Sequence, residues 1–378
     1  MTFRSHPIHC ITPPHMLREI AARGSPAQRE WALRTLVVSE QLRGQRLASF
    51  GVAALAAPVA AGKERVVYDA QNGSTLPGRQ ARGEGDPPTG DKAVDEAYDG
   101  AGATYDLYQQ AYARNSIDGN GLRMDSTVHY QKGYDNAFWN GQQMVYGDGD
   151  EDLPEAERLF NRFTIAVDII GHELTHGVTQ YEAKLMYFDQ PGALNESMSD
   201  VFGALVKQRL LGQTADQADW IIGQGLFTAR VQGQGIRSMK APGTAYDDPV
   251  LGKDPQPAHM RDYKNVPYDN GGVHINSGIP NHGFYVTARE IGGLAWEKAG
   301  RIWYVALRDK LQVRSDFQAA ASLTYQTAGE LFGAGSREQQ AVRTGWAAVG
   351  LNVEAPQPQP EGCLPALLRL LSLSPRRG

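Results

Sequence analysis

The stretch His172-Glu173-Leu174-Thr175-His176 limits most sharply what this chain can be. Two histidines four residues apart lie one above the other on a helix face. A helix there sets two imidazole nitrogens where one Zn²⁺ can take both. Glu173, next to the first histidine, can reach a water on the same metal and act as its base. The flanking sequence supplies the helix, because Phe163, Ala166, Val167, Ile170, Leu174 and Val178 recur at helical spacing and give one buried stripe. In a chain with 9 histidines such a pattern can also arise by chance, so it needs support from elsewhere.

A catalytic zinc site wants three protein ligands and one open position. Asn195-Glu196-Ser197-Met198-Ser199-Asp200 begins 19 residues past His176 and reads as the start of a second helix. A tight turn between the two helices makes them antiparallel and lets Glu196 face the metal. Asp200, four residues on, lies on the same face. It can accept the outer N–H of one histidine and so fix its tautomer. Glu196 on its own would read as a solvated surface glutamate.

The rest of the chain bounds the setting. Its 378 residues give two or three domains' worth of chain, with 41% hydrophobic and 21% charged residues. A net charge of −5 argues against nucleic acid as the main partner. Cys10 and Cys363 stand near opposite ends, so no disulfide framework is expected. No run reaches about 18 apolar residues, so no membrane span is expected. The N-terminus lacks the apolar core of an ordinary signal peptide. After Pro13-Pro14, residues 15–39 have helical spacing, and Ala-rich residues 53–61 read as a linker or cleavage region. Strands are expected at 65–68 and 127–130, a Gly/Pro loop at 79–91, a helix at 94–113, and an edge strand ending in Asn136-Ala137-Phe138-Trp139-Asn140-Gly141. The acidic turn at 147–152 reads as a solvated loop, with calcium binding the lesser alternative. From Pro154 onward the pattern is mainly helical, with helices expected over 192–211, 278–291, 295–310, 316–331 and 336–349. Residues 356–360 alternate Pro and Gln as an extended linker, and a short apolar segment follows at 364–373.

Five segments in order resemble the thermolysin-like zinc metalloendopeptidases: Asn136 to Gly141; His172 to Thr179; Gly192 to Gly203, which includes Asn195-Glu196; Gly235-Ile236-Arg237-Ser238-Met239; and Asp269-Asn270-Gly271-Gly272-Val273-His274-Ile275-Asn276-Ser277-Gly278. The resemblance spans residues 64–350. The metzincin pattern needs Gly and His three and six places after His176, where this chain has Thr179 and Glu182. The implied fold is α+β and two-lobed. A β-rich lobe (61–165) and a mainly α-helical lobe (166–352) enclose a zinc site in the cleft. A short helical propeptide with its linker (1–60) precedes them, and a Pro-rich tail (353–378) follows.

The resemblance also implies roles. His172, His176 and Glu196 would ligate one catalytic zinc, with Asp200 and Asn195 supporting the ligands. Glu173 would take the proton of the zinc-bound water and pass it to the leaving amine. His274, oriented by Asp269, and Tyr187 would stabilise the oxyanion. Asn136 and Ala137 would pair with the substrate backbone, and Arg237 would hold a substrate carbonyl. Ile169, Ile222 and Ile236 would form an apolar pocket for the residue after the scissile bond.

The leader with Pro13-Pro14-His15-Met16-Leu17 looks like that of the protealysin subgroup, which has a compact propeptide of this length. It is expected to cover the cleft in cis, with residues 10–17 near the zinc. A plain proline turn is favoured over approach of Cys10 or His15 to the metal. Thermolysin carries a double calcium site beside the zinc helix. Here Asp168 and Asp219 match two of its acidic ligands, but Lys207, Ile221 and Gln224 stand at the other positions, and Gln234 at a further calcium position. These residues argue against calcium dependence, although Ca²⁺ is the one further ion worth testing. The expectation is a self-processed zymogen that acts as a monomer on protein or peptide substrates. Export would follow a non-classical route, with a cytoplasmic precursor as the alternative. A dead protease scaffold that only binds proteins conflicts with the retained Glu173, Glu196, Tyr187 and His274. An aminopeptidase would need an acidic group for a free amine and its own signature, and neither is found.

Overall fold

The computed structural model describes residues 9–49 and 62–353. The linker expected at 53–61 and the tail beyond 353 lie outside the described residues. The chain starts with β1 (His9–Cys10), α1 (Pro14–Arg23) and α2 (Pro26–Ser49). The single helix expected over 15–39 is therefore two. The Gly24 N–H closes α1 on the Ile20 carbonyl at 2.8 Å, and Ser25-Pro26 starts the next helix. Proline suits a first helical turn, where its missing N–H has no intrahelical partner, and breaks a helix interior.

β2 (Arg65–Asp69), β3 (Arg79–Arg82), α3 (Lys92–Tyr112), β4 (Met124–Val128), β5 (Ala137–Trp139) and β6 (Met144–Tyr146) follow. They form a six-stranded sheet in the order β1-β5-β6-β4-β2-β3. β2, β4 and β6 run parallel, with α3 in the crossover that parallel strands require. Two expectations change here. The loop expected at 79–91 begins as β3, antiparallel to β2. Its Arg-Gln-Ala-Arg lacks the β-branched residues that mark a strand, and the pairing comes from the partner. Nor is β5 an edge strand, since the leader's β1 pairs with it, His9 opposite Trp139 and Cys10 opposite Phe138.

α3 starts on Asp91, whose Oδ1 accepts from the Ala93 N–H at 2.9 Å. Its Oδ2 lies 3.0 Å from His129 Nε2, while His129 Nδ1 lies 2.8 Å from Asp148 Oδ2. The hydrogen bond with Asp148 is the main cause that raises the imidazole pKa from 6.5 to about 9. The shift is upward, so the stabilisation is complete below pH 6.5 and is lost as pH rises through 9. The side chain is 25% exposed, which leaves about 1–2 kcal/mol after solvent screening. Thermal midpoints recorded from pH 6 to 10 should fall more for the parent than for His129→Gln. Equal alkaline slopes would sink this assignment.

The helical half holds α4 (Val167–Tyr181), α5 (Asp189–Leu211), the short pair β7 (Ile221–Ile222) and β8 (Arg237–Ser238), α6 (Asp269–Asn276), α7 (Gly278–Ile291), α8 (Ala299–Asp309), α9 (Phe317–Phe332) and α10 (Arg337–Ala348). The bounds of α5, α7, α8, α9 and α10 fall within a few residues of the periodicity reading, whereas β7, β8 and α6 lie in a Gly-rich stretch where no element was expected. α4 and α5 cross almost backbone to backbone. A Cβ on Gly203 would sit 2.4 Å from the Asp168 carbonyl oxygen and 3.0 Å from His172 N. Glycine at this crossing lets the Glu196 helix approach the two histidines. Apolar residues of both halves join in one core, including Leu174, Val178, Leu194, Val201 and Phe202.

Candidate active site

α4 presents His172 and His176 on one face, as its spacing dictates, and α5 brings Glu196 opposite. The ligand atoms of the three lie within 4.8 Å of one another, and all three side chains are buried. His172 Nδ1 is 2.8 Å from Asp200 Oδ1, and His176 Nδ1 is 2.9 Å from Asn195 Oδ1 and 3.0 Å from Ser199 Oγ. An imidazole that donates from Nδ1 keeps Nε2 as a bare acceptor. The two Nε2 atoms face each other at 3.0 Å, with Glu196 oxygens 3.5 Å and 3.4 Å away. Burial, with His172 beside it, pushes the His176 pKa well down and so keeps that ring neutral. Facing acceptors and a buried carboxylate repel one another unless a cation sits between them. Tetrahedral zinc with Zn–N bonds of ~2.0–2.1 Å holds two nitrogens about 3.3 Å apart, so the donor set fits that ion. Among the described residues, Glu173 Oε1 and Glu196 Oε2 are buried oxygens with no hydrogen-bond partner.

Glu173 Oε2 accepts from the Trp139 N–H at 3.0 Å, which ties the zinc helix to β5. Burial, with Glu196 nearby, raises the Glu173 pKa well above the usual carboxylate range. Asp200 is a hub. It accepts from His172, from Arg237 Nε and Nη2 at 2.8 Å each, and from Asn281 Nδ2 at 2.7 Å. Burial alone would raise the Asp200 pKa, but Arg237 and His172 together more than offset it and the pKa falls.

His274 reaches the cleft through an unusual turn. Asp269, Asn270, Gly271 and Gly272 all have positive φ, between 50° and 83°. A Cβ on Gly271 would meet Asp189 Oδ1 at 2.1 Å, so only glycine fits there. The turn brings the Asp269 carboxylate to His274, Oδ1 to the ring Nδ1 at 2.5 Å and Oδ2 to the backbone N–H at 3.0 Å. Burial lowers the His274 pKa, but Asp269 and then Glu196 more than offset it, and the net shift is upward. The Tyr187 hydroxyl donates to Glu196 Oε1 and lies 3.2 Å from His274 Nε2.

The leader crosses this cleft. His274 Nε2 is 2.9 Å from the Cys10 carbonyl oxygen. The Ile11 N–H donates to the Ala137 carbonyl at 3.2 Å, and the Ile11 carbonyl accepts from Arg237 Nη1 at 3.2 Å. The Thr12 N–H donates to Asn136 Oδ1 at 2.9 Å. Ile11, Ile169, Ile222 and Ile236 are all buried in the same apolar core. The Cys10 side chain points away from the metal ligands, into a cluster with Tyr130, Tyr134, Phe138 and Val145. Among the described residues the group that could hold a metal is His172, His176 and Glu196, without the Cys10 thiol. His15 Nε2 bonds the Tyr246 hydroxyl at 3.0 Å, and burial lowers its pKa to about 4.

Beside the zinc helix, Lys207 Nζ lies 3.1 Å from Asp168 Oδ2, 2.9 Å from Asp219 Oδ1 and 2.8 Å from the Ile221 carbonyl oxygen. Burial opposes its charge, but Asp168 and Asp219 more than offset this and raise its pKa. In the acidic turn, Asp148 holds His129, and Asp150 Oδ2 accepts from the Leu159 and Phe160 N–H groups at 2.7 Å and 3.1 Å. Sequence reasoning passed over Trp139 N, Ser199 and Asn281. The first is a backbone donor and carries no residue signal. Ser199 lies four places after Asn195, the helical spacing that could have paired them, and Asn281 lies two helical turns past His274.

Residues 62–180 match the thermolysin metallopeptidase catalytic domain, and residues 183–351 match the thermolysin metallopeptidase alpha-helical domain. An extracellular metalloprotease of Pectobacterium carotovorum subsp. carotovorum is 49% identical over 93% of this chain and 98% of its own length. An extracellular minor metalloprotease of Serratia marcescens is 43% identical over 76% of this chain and 79% of its own. The solved precursor of protealysin, a metalloproteinase from Serratia proteamaculans, superposes with a TM-score of 0.82 at 52% identity, covering 91% of this chain and 99% of that one. With both halves matched and a buried His-His-Glu group able to hold a metal, the chain belongs to the thermolysin metallopeptidase family and is a zinc-dependent endopeptidase.

Proposed function

We propose that the chain is a zymogen whose mature form cuts peptide bonds on the N-terminal side of large apolar residues. In the precursor the leader occupies the cleft in cis, through Cys10, Ile11 and Thr12. The observation that carries the reading is the backbone pairing of Cys10, Ile11 and Thr12 with His274, Ala137, Arg237 and Asn136. Those are the groups a bound substrate would need.

His172, His176 and Glu196 would hold the zinc, which when bound supplies Lewis-acid polarisation of the scissile carbonyl and of the attacking water. Glu173 takes a proton from that water and later releases it to the leaving amine. The His274 imidazolium donates from Nε2 to the carbonyl oxygen as negative charge develops there, while Asp269 holds the ring by Nδ1. Tyr187 is placed beside it to donate to the same oxygen. Arg237 both orients Asp200 and holds the carbonyl one residue after the scissile bond. Ile169, Ile222 and Ile236 would line the pocket for the side chain after the scissile bond, and Ile11 is buried in the same apolar core.

Secretion is part of the proposal, in line with relatives that are named extracellular. So is calcium independence, with the Lys207 ammonium in place of a bound cation between Asp168 and Asp219. Casein digested by the processed protein, with cut sites mapped by mass spectrometry, tests the reading. A zinc chelator should abolish digestion, a calcium-selective chelator should spare it, and most cuts should precede Leu, Ile, Val or Phe. Digestion that proceeds only from free N-termini, or cuts with no apolar residue following, would refute it.

A further inference from the structure

We propose that α2 holds the leader through an anchoring site of its own, a notch over Gly133 that takes the Trp31 indole, so that the leader stays bound after the chain between residues 49 and 62 is cut. This rests on reading the leader as a propeptide.

One face of α2 meets the sheet side of the molecule. Gln28, Trp31 and Thr35 follow at helical spacing and are 3%, 8% and 0% exposed. Gln28 Nε2 donates to the Glu157 carbonyl at 2.6 Å. Arg34 Nη2 donates to the Lys132 carbonyl, and the Asp135 N–H lies 3.4 Å from Thr35 Oγ1. Val38 packs against the aromatic cluster of Tyr130, Tyr134 and Phe138. The centre of this surface is Gly133. A Cβ there would lie 2.1 Å from Trp31 Cδ2 and 2.3 Å from Cε3, so the indole occupies the space of a missing side chain. Gly133 has a φ of +60°, a conformation open to glycine and asparagine but strained for most residues. A buried tryptophan seated in a backbone notch is the kind of contact that dominates an interface.

All these partners lie within residues 130–157, apart from the helices that carry His172, His176, Glu196 and His274. The leader is therefore held in two regions, by β1 and α1 over the cleft and by α2 on the sheet side. Cutting the linker removes the covalent tether and leaves both contacts. Two linked sites release together only when both open at once, so each raises the residence time of the other. Activation then has two steps, scission of the linker and loss of the α2 anchor. Leu33 and Val37, on the opposite face, are 54% and 55% exposed and take no part in the anchor.

The test uses the full chain carrying Glu173→Ala and a recognition sequence for an added, sequence-specific protease placed between residues 50 and 61. After the cut, gel filtration follows the leader. The parent should keep it with the body of the protein. Trp31→Ala should lose it at least tenfold faster, and Trp31→Phe should recover part of the retention. Gly133→Asn tolerates the backbone and fills the notch, so it should release an unaltered leader equally fast. It also stands if Trp31→Ala fails to fold. Immediate release from the parent, or equal retention by Trp31→Ala and Gly133→Asn, overturns the proposal. The added protease makes the cut, so retention is read whether or not the chain processes itself. Failure of the zymogen reading would show separately, as a parent with intact Glu173 that stays full length yet active.

Discussion

Glu173→Ala should leave the chain at full length and lower peptide hydrolysis by roughly a thousandfold or more, with the fold intact. General acid–base catalysis by a positioned side chain contributes typically ~10²–10⁴-fold, and Glu173 would serve in both proton transfers. Its carboxylate is fully buried, with one oxygen on the Trp139 N–H and the other without a hydrogen-bond partner. Alanine removes the base and also relieves like-charge repulsion with Glu196, so folding should not suffer. Intact mass after purification gives the first readout. In the parent the leader should be severed from the body of the chain, whether or not it stays bound, and the variant should retain residues 1–60 in one covalent chain. A fluorogenic peptide with Leu after the cut site gives the second. Near-parental hydrolysis by Glu173→Ala would rule out the assigned base. A parent that is active with its leader still attached would rule out the zymogen.

The second large effect concerns stability. Lys207→Ala should destabilise the protein by about 3 kcal/mol, because it strands a fully buried Asp168 carboxylate whose remaining donor is the Gly223 N–H at 3.1 Å. For a protein of this size that corresponds to a fall in Tm of roughly 4 °C. Calcium should leave the parent Tm unchanged. In Lys207→Glu, three carboxylates and the Ile221 carbonyl would surround the vacated space, an oxygen-rich set suited to a hard divalent cation. That variant should be unstable alone and recover with calcium. Differential scanning calorimetry with and without calcium decides the matter. A parent Tm that drops on calcium chelation, or a Lys207→Ala Tm equal to the parent's, would show that the ammonium is not the structural cation here.

Much of the site was legible in the sequence because helices fix geometry through spacing alone. His172, His176, Glu196 and Asp200 are separated by single helical turns within two helices, so the pattern of residues specifies which side chains can converge. The left-handed run at Asp269-Asn270-Gly271-Gly272 was visible as a motif, but its purpose depends on contact with Asp189, 80 residues earlier in the chain. Groups that act through the backbone left no trace. The Trp139 N–H on Glu173 and the Ala137 carbonyl on Ile11 are properties of strand register. β3 was hidden because Arg79-Gln80-Ala81-Arg82 has no strand character until β2 pairs with it. The leader was legible as an appendage, and Gly24-Ser25-Pro26 carried a local signal for its break that the apolar spacing alone passed over. Its place as the outer strand could not be read locally, because it follows from where β5 lies in space.

The zinc content of the purified full chain bears most directly on the whole scheme. Elemental analysis by mass spectrometry should find about one zinc per chain in the parent and in Glu173→Ala, as a three-ligand site requires. His176→Ala, with one ligand gone and the others unchanged, should hold less than about a tenth as much after dialysis. Equal zinc in His176→Ala and the parent, or a folded parent that takes up none from zinc-containing buffer, would contradict the assignment of His172, His176 and Glu196 as the metal centre.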